Sequence, residues 1–138
     1  MYHYRSTRKQ YHSYPKTATC QFCDRNEIQV GLVSESKHAY VIKNRTFYDM
    51  WELCRVTDHL LVVPKEHVTS VSDLSDAAKA DIMTVIGEYE KTDYNAYARG
   101  ATNGRRSVIH QHTHLIKTNH KQARFFMMFR RPYFMIHL

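Results

Sequence analysis

The chain has 138 residues and a mass of 16.4 kDa, room for one domain with a real core. Apolar residues make up 43%, which excludes disorder of the whole chain, and no apolar run is long enough to cross a bilayer. The net charge of +7 and pI near 9.4 favour anionic partners such as nucleotides or nucleic acid, but the excess sits at the two ends of the chain.

Residues 1–18 carry Arg5, Arg8, Lys9 and Lys16 without an acid and show no helical or strand pattern. They are expected to form a flexible basic tail. Tyr2, Tyr4, Tyr11 and Tyr14 leave open a second reading, an arm that stacks on nucleic-acid bases. Cys20-Gln21-Phe22-Cys23 then puts two thiols on one tight turn, half of a tetrahedral metal site that two histidines can complete. A redox pair is the competing reading, although no strand-then-helix pattern follows. The third cysteine, Cys54, has no partner in sequence, and an odd count does not fit a disulfide framework. A reducing, cytoplasmic setting is expected.

Residues 39–43 predict a strand, followed by a polar turn at Asn44-Arg45-Thr46. His59-Leu60-Leu61-Val62-Val63 is a near-continuous apolar run closed by Pro64, the pattern of a buried strand. Ser75 is a good N-cap, and Ala78, Ile82, Val85, Ile86 and Tyr89 make one apolar stripe of a long helix behind it. Residues 94–99 predict a strand, Gly100 to Arg106 a polar loop, and 107–117 a last strand. Strands, one long helix and then strands predict an α+β domain with an antiparallel sheet. Residues 119–138 are basic and aromatic, and are expected to pack on the domain or across a dimer interface, since such a patch left exposed invites aggregation.

The last strand reads His110-Gln111-His112-Thr113-His114-Leu115-Ile116. Side chains alternate along a strand, so this spacing predicts three histidines on one face. A neutral imidazole such as His112 can attack an activated phosphorus and hold it covalently, splitting one difficult displacement into two. A same-face neighbour such as His114 can donate to a phosphate oxygen. Just upstream, Asn103-Gly104-Arg105-Arg106-Ser107 supplies an amide, a flexible glycine, two guanidinium groups and a hydroxyl, a set suited to cradling phosphate.

With these residues the chain resembles the histidine triad (HIT) superfamily over roughly residues 18–118. The resemblance rests on the His-x-His-x-His run followed by two apolar residues, on His59-Leu60-Leu61-Val62-Val63-Pro64-Lys65-Glu66-His67, and on the helix between them. It implies a fold with an antiparallel sheet of about five strands, one long helix and a short one, over residues 19–118. It also implies a homodimer that binds purine nucleotides and works through a nucleotidyl-histidine intermediate. By position, His112 resembles the nucleophile and His114 the residue that contacts the phosphate. Asn103 and Ser107 match phosphate-holding positions, Asn44 the residue that bonds the ribose hydroxyls, and His59 the support of the triad. A zinc-containing branch is similar at Cys20, Cys23, His67 and His110, which would make His110 a ligand of a structural zinc and not a catalyst. Two features depart from the family pattern. Gln111 and Thr113 stand where apolar residues are usual, and Arg105-Arg106 replaces a Gly-Gln pair. The expected function is hydrolysis or transfer at the α-phosphate of a dinucleoside polyphosphate or nucleoside phosphoramidate. The rival expectation is a non-catalytic, zinc-stabilised module that binds nucleotides or, through its basic ends, nucleic acid.

Overall fold

Alternating and apolar runs assemble here into an antiparallel sheet with its longest strand at the centre. The computed structural model describes residues 2–14, 19–130 and 132–138; Lys16, part of the expected basic tail, lies outside them. Helix α1 (Arg5–Ser13) and helix α2 (Arg25–Gly31) lead into strands β1 (Leu32–Glu35), β2 (Ala39–Lys43), β3 (Met50–Trp51) and β4 (Cys54–Pro64). After helix α3 (Asp76–Glu90) come β5 (Asn95–Ala98), β6 (Thr113–Gln122), β7 (Phe126–Arg130) and β8 (Tyr133–His137). The main sheet has the order β1-β2-β4-β6-β5, with β3 paired to β4, while β7 and β8 form a separate hairpin.

Strand alternation divides the sheet into two faces. Leu60 and Val62 of β4, with Ala39, Val41 and Leu115, bury the stripe Ala78, Ile82 and Ile86 of α3. Each such side chain removed from water contributes about 1.5–3 kcal/mol, enough to fix the register of β4 against β6. The Ser75 hydroxyl caps α3 by accepting from the Ala78 N–H. Leu61 and Val63 point the other way, onto Phe22 and Ile28. Leu61 pairs with His114 and His59 with Ile116, so these two histidines lie on the face away from the helix.

Three expectations change. The sequence pattern predicts the histidine strand over 107–117, but β6 begins only at Thr113. Its partner β4 ends in Pro64, which has no N–H to continue the ladder, and the Gln111 N–H instead donates to the Val68 carbonyl, 2.8 Å away. His110 and His112 therefore approach the sheet on an extended segment, and only His114 belongs to a strand. Second, β4 starts at Cys54, well before His59, because β3 folds back on it through Glu52 and Leu53. Both turn residues have positive φ (49° and 62°) without being glycine or asparagine, so no turn signal marks the hairpin in the sequence.

Third, the basic N-terminal segment contains a helix. Tyr2 bridges to Met50, and Asp49 accepts from the Tyr4 N–H (2.6 Å) and the Thr7 hydroxyl (3.0 Å). The β7–β8 hairpin meets the same segment: the rings of Tyr2 and Phe126 lie 4.8 Å apart, and Tyr4 stacks on His137. Asp49→Ala is expected to cost about 1–3 kcal/mol and to make residues 5–13 more easily cleaved by trypsin. Denaturant titration and limited proteolysis measure the two effects, and an unchanged cleavage rate would show that Asp49 does not hold the segment.

Candidate active site and metal centre

The sequence pattern gives faces; hydrogen-bond partners give each imidazole its chemistry. A ring nitrogen that faces a carbonyl oxygen must carry the proton, and this leaves the other nitrogen basic. His112 Nδ1 lies 2.8 Å from the carbonyl of His110, so Nδ1–H donates and Nε2 holds the lone pair. His110 Nε2 lies 2.9 Å from the carbonyl of Pro64, so here Nε2–H donates and Nδ1 is basic. Two histidines two residues apart thus present opposite nitrogens.

A third assignment follows along a relay. The backbone N–H of Tyr48 donates to His59 Nδ1 at 3.1 Å, which places the His59 proton on Nε2. His59 Nε2–H then donates to His114 Nδ1 at 2.9 Å, and His114 keeps its own proton on Nε2. The amide of Asn44 lies against the His59 ring, 3.1 Å from Nε2, and its Oδ1 accepts from the Thr46 N–H. His59 is fully buried, and His112 and His114 lie edge to face with ring centroids 5.1 Å apart.

Burial keeps all four imidazoles neutral. It is the largest cause of the low pKa of His59, at about 3, and of His114, at about 2; the Arg99 guanidinium lowers His114 further. His110 and His112 are also pushed down by burial, against the raising effect of their carbonyl partners. A depressed folded-state pKa means that the unfolded chain binds more protons at acid pH. Stability is therefore complete above the ordinary value of 6.5 and falls as pH drops towards 3, by about 1.4 kcal/mol per pH unit for each histidine kept neutral. Urea midpoints at pH 7, 6 and 5 should shift less in His59→Gln than in the native chain; parallel slopes would contradict this account.

Beside the histidines lies a second cluster. Cys20 Sγ and Cys23 Sγ are each 3.5 Å from His110 Nδ1, and Cys23 Sγ is 3.1 Å from His67 Nδ1. The four donor atoms lie within 4.8 Å of one another. A tetrahedron with bonds of about 2.0–2.3 Å has edges of about 3.3–3.8 Å, close to these separations. The basic nitrogen of His110 is the one that faces the sulfurs, and its other nitrogen is held by Pro64, as a ligating histidine requires. The residues fit a metal ion.

The upstream loop divides its labour. Arg106 donates to Val108 O (3.1 Å), Thr69 O (2.7 Å) and Gln111 Oε1 (3.0 Å), so its guanidinium clamps the loop to the protein instead of standing beside Arg105 towards a ligand. This also explains Gln111, which is buried as the partner of Arg106. Asn103 Oδ1 accepts from the Arg105 N–H, and Asn103, Arg105 and Ser107 are exposed. Asn103, Gly104 and Arg105 line a cleft of about 510 Å³ together with Tyr97 and Arg99. Tyr48, Tyr97 and Arg99 belong to no motif that marks them in the sequence. Tyr48 packs on His59 and His114 (4.7 and 5.4 Å), and Tyr97 lies 5.9 Å from His114. The period-two pattern of residues 94–99 carried a weak signal for Tyr97 and Arg99 on one strand face. Phe22, between the cysteines, stands edge-on to both His110 and His112.

Comparison with known proteins gives a family and a fold. A family model described as the HIT domain matches residues 27–121. The chain is 29% identical over 102 residues to an adenosine 5'-monophosphoramidase of Schizosaccharomyces pombe, covering 71% of this chain and 73% of that one. Its fold is similar to a histidine triad nucleotide-binding protein from Candida albicans, with a TM-score of 0.57 at 20% identity over 73% of this chain and 76% of that one. A histidine triad protein from Clostridium difficile gives 0.55 at 21% identity, over 80% and 99%.

Proposed function

The chain belongs to the HIT domain family, and from that premise we propose that it is a nucleotide hydrolase or nucleotidyl transferase acting at the α-phosphate. The observation that carries the proposal is the pairing of tautomers: a basic Nε2 on His112 beside a protonated Nε2 on His114. His112 Nε2 forms a bond to the α-phosphorus as the bond to the leaving group breaks, and His114 Nε2–H meets a phosphate oxygen. Asn103 and Ser107 hold further oxygens, Asn44 the ribose hydroxyls, and His59 fixes His114. Arg105 faces the phosphates, and Arg106 serves them by clamping the loop. Water, or another acceptor, then attacks phosphorus, breaks the P–N bond and releases the nucleoside monophosphate.

Dinucleoside polyphosphates and nucleoside phosphoramidates, purine ones first, are the substrate classes; the fission-yeast relative supports the second by its activity. Zinc is the metal we assign to Cys20, Cys23, His67 and His110, and the CxxC branch is the one we propose for the chain. Four protein ligands leave no open position, so zinc would stabilise the fold at the base of the site without activating water. A homodimer in the cytoplasm completes the proposal. It is supported by three cysteines without a disulfide and by exposed Phe129 and Phe134 on the β7–β8 hairpin. The test is mass spectrometry of acid-quenched or rapidly frozen enzyme across a nucleotide panel. A nucleotidyl adduct on His112 is expected. Turnover without an adduct at His112 would overturn the mechanism, and a chain that turns over nothing but binds RNA with a steep salt dependence would favour a binding module.

A further inference from the structure

The cleft beside the histidines carries more charge than holding one α-phosphate requires. Its lining is Tyr97, Arg99, Asn103, Gly104 and Arg105, with two guanidinium groups and no carboxylate among the lining residues. Arg99 follows β5, lies over the Tyr97 ring (5.8 Å to the centroid) and donates to the Tyr48 hydroxyl at 3.5 Å. Both tyrosines pack on His114, at 5.4 and 5.9 Å between ring centroids, so the guanidinium is held by two rings that contact that histidine. Its positive charge reaches His112 and His114, since it helps to lower the proton affinity of both. Arg105 stands at the exposed rim, where its backbone N–H ties it to Asn103. Arg106 is excluded from this role by its three protein acceptors.

We propose that this cleft is the leaving-group site and that it selects a phosphate-bearing anion, a nucleotide or a polyphosphate chain, over a neutral amine. The inference rests on the nucleotidyl-transfer reading above. As His112 Nε2 bonds to the α-phosphorus, the bridging P–O bond breaks and its electron pair goes to the departing oxygen. The leaving chain gains one negative charge and departs without first taking a proton. Arg99 and Arg105 meet that charge where it develops, Arg99 close to the reacting atoms and Arg105 further along the chain. An amine leaving group gains nothing from two cations, because it must take up a proton to leave. The cleft volume, about 510 Å³, is in the range that holds a nucleotide or a triphosphate.

The experiment compares the full chain with Arg99→Gln and Arg105→Gln on two substrates with the same nucleoside. One is diadenosine triphosphate and the other an adenosine phosphoramidate of an uncharged amine. For each variant, the ratio of kcat/KM for the first substrate over the second is expected to fall by about tenfold to a hundredfold, the worth of one lost charge-assisted hydrogen bond. In Arg105→Gln the loss should lie mainly in KM, and in Arg99→Gln it should extend to kcat. Inorganic tripolyphosphate is expected to bind the native chain, by calorimetry, and to bind both variants more weakly. An equal fall on both substrates would overturn the proposal while leaving the nucleotidyl-transfer reading intact. Tripolyphosphate binding that both substitutions weaken, in a chain that turns over neither substrate, would remove the catalytic reading and leave the anion site. Absence of tripolyphosphate binding would overturn the cleft assignment outright.

Discussion

His112→Ala is expected to lower kcat by at least about a thousandfold on any substrate that the native chain turns over, because in the proposed mechanism it removes the atom that bonds phosphorus. Nothing adjacent can replace it. His114 has its Nδ1 lone pair engaged by His59 and carries its proton on Nε2, so it is a donor. The basic nitrogen of His110 faces Cys20 and Cys23. His59 is fully buried behind Tyr48 and His114. The variant should still bind a nucleoside monophosphate, since the ribose and phosphate positions are untouched. Residual turnover within tenfold of the native chain would remove His112 from the nucleophile's role, whatever the substrate. His114→Ala should cost less than His112→Ala, because it deletes a donor and not the reacting atom.

Removing the proposed zinc is expected to be the largest change in stability. Elemental analysis should give about one zinc per chain, and chelation or Cys20→Ser should lower the melting temperature by about ten degrees or more. The donors come from three separate places, the turn after residue 19, the loop after β4 and the approach to β6, so an ion held by them would tie all three together. Activity should fall with it through geometry alone. The carbonyl of His110 fixes the ring of His112, so a His110 released from Cys20 and Cys23 lets the nucleophile turn. Re-addition of zinc should restore both properties. A melting temperature unchanged by verified metal removal would leave the cluster without a structural role.

Both experiments probe residues that could be read in the sequence to different depths. The apolar stripe of α3, its Ser75 cap and the β2 and β4 cores were legible because local periodicity and burial agree there. Strand β3 was not, because Glu52 and Leu53 adopt positive φ with no residue type that announces it. Helix α1 was not either. Its sequence has no apolar stripe, and it is positioned by long-range contacts from Thr7 and Tyr4 to Asp49.

The sequence by itself determined the candidate residues: three histidines at alternate positions, a second histidine motif around Pro64 and a CxxC turn, which the fold brings near one sheet. Only the tertiary structure decided which nitrogen of each ring carries the proton, and which arginine of the loop is held by protein acceptors. The reason is physical. A tautomer is set by the partner of the opposite nitrogen, and those partners (Pro64 for His110, His110 for His112, His59 for His114) are backbone and side-chain groups brought there by folding. An arginine's role depends in the same way on whether carbonyls already claim its donors, as they do for Arg106. Spacing can put a residue on a face, but hydrogen-bond geometry gives it a function.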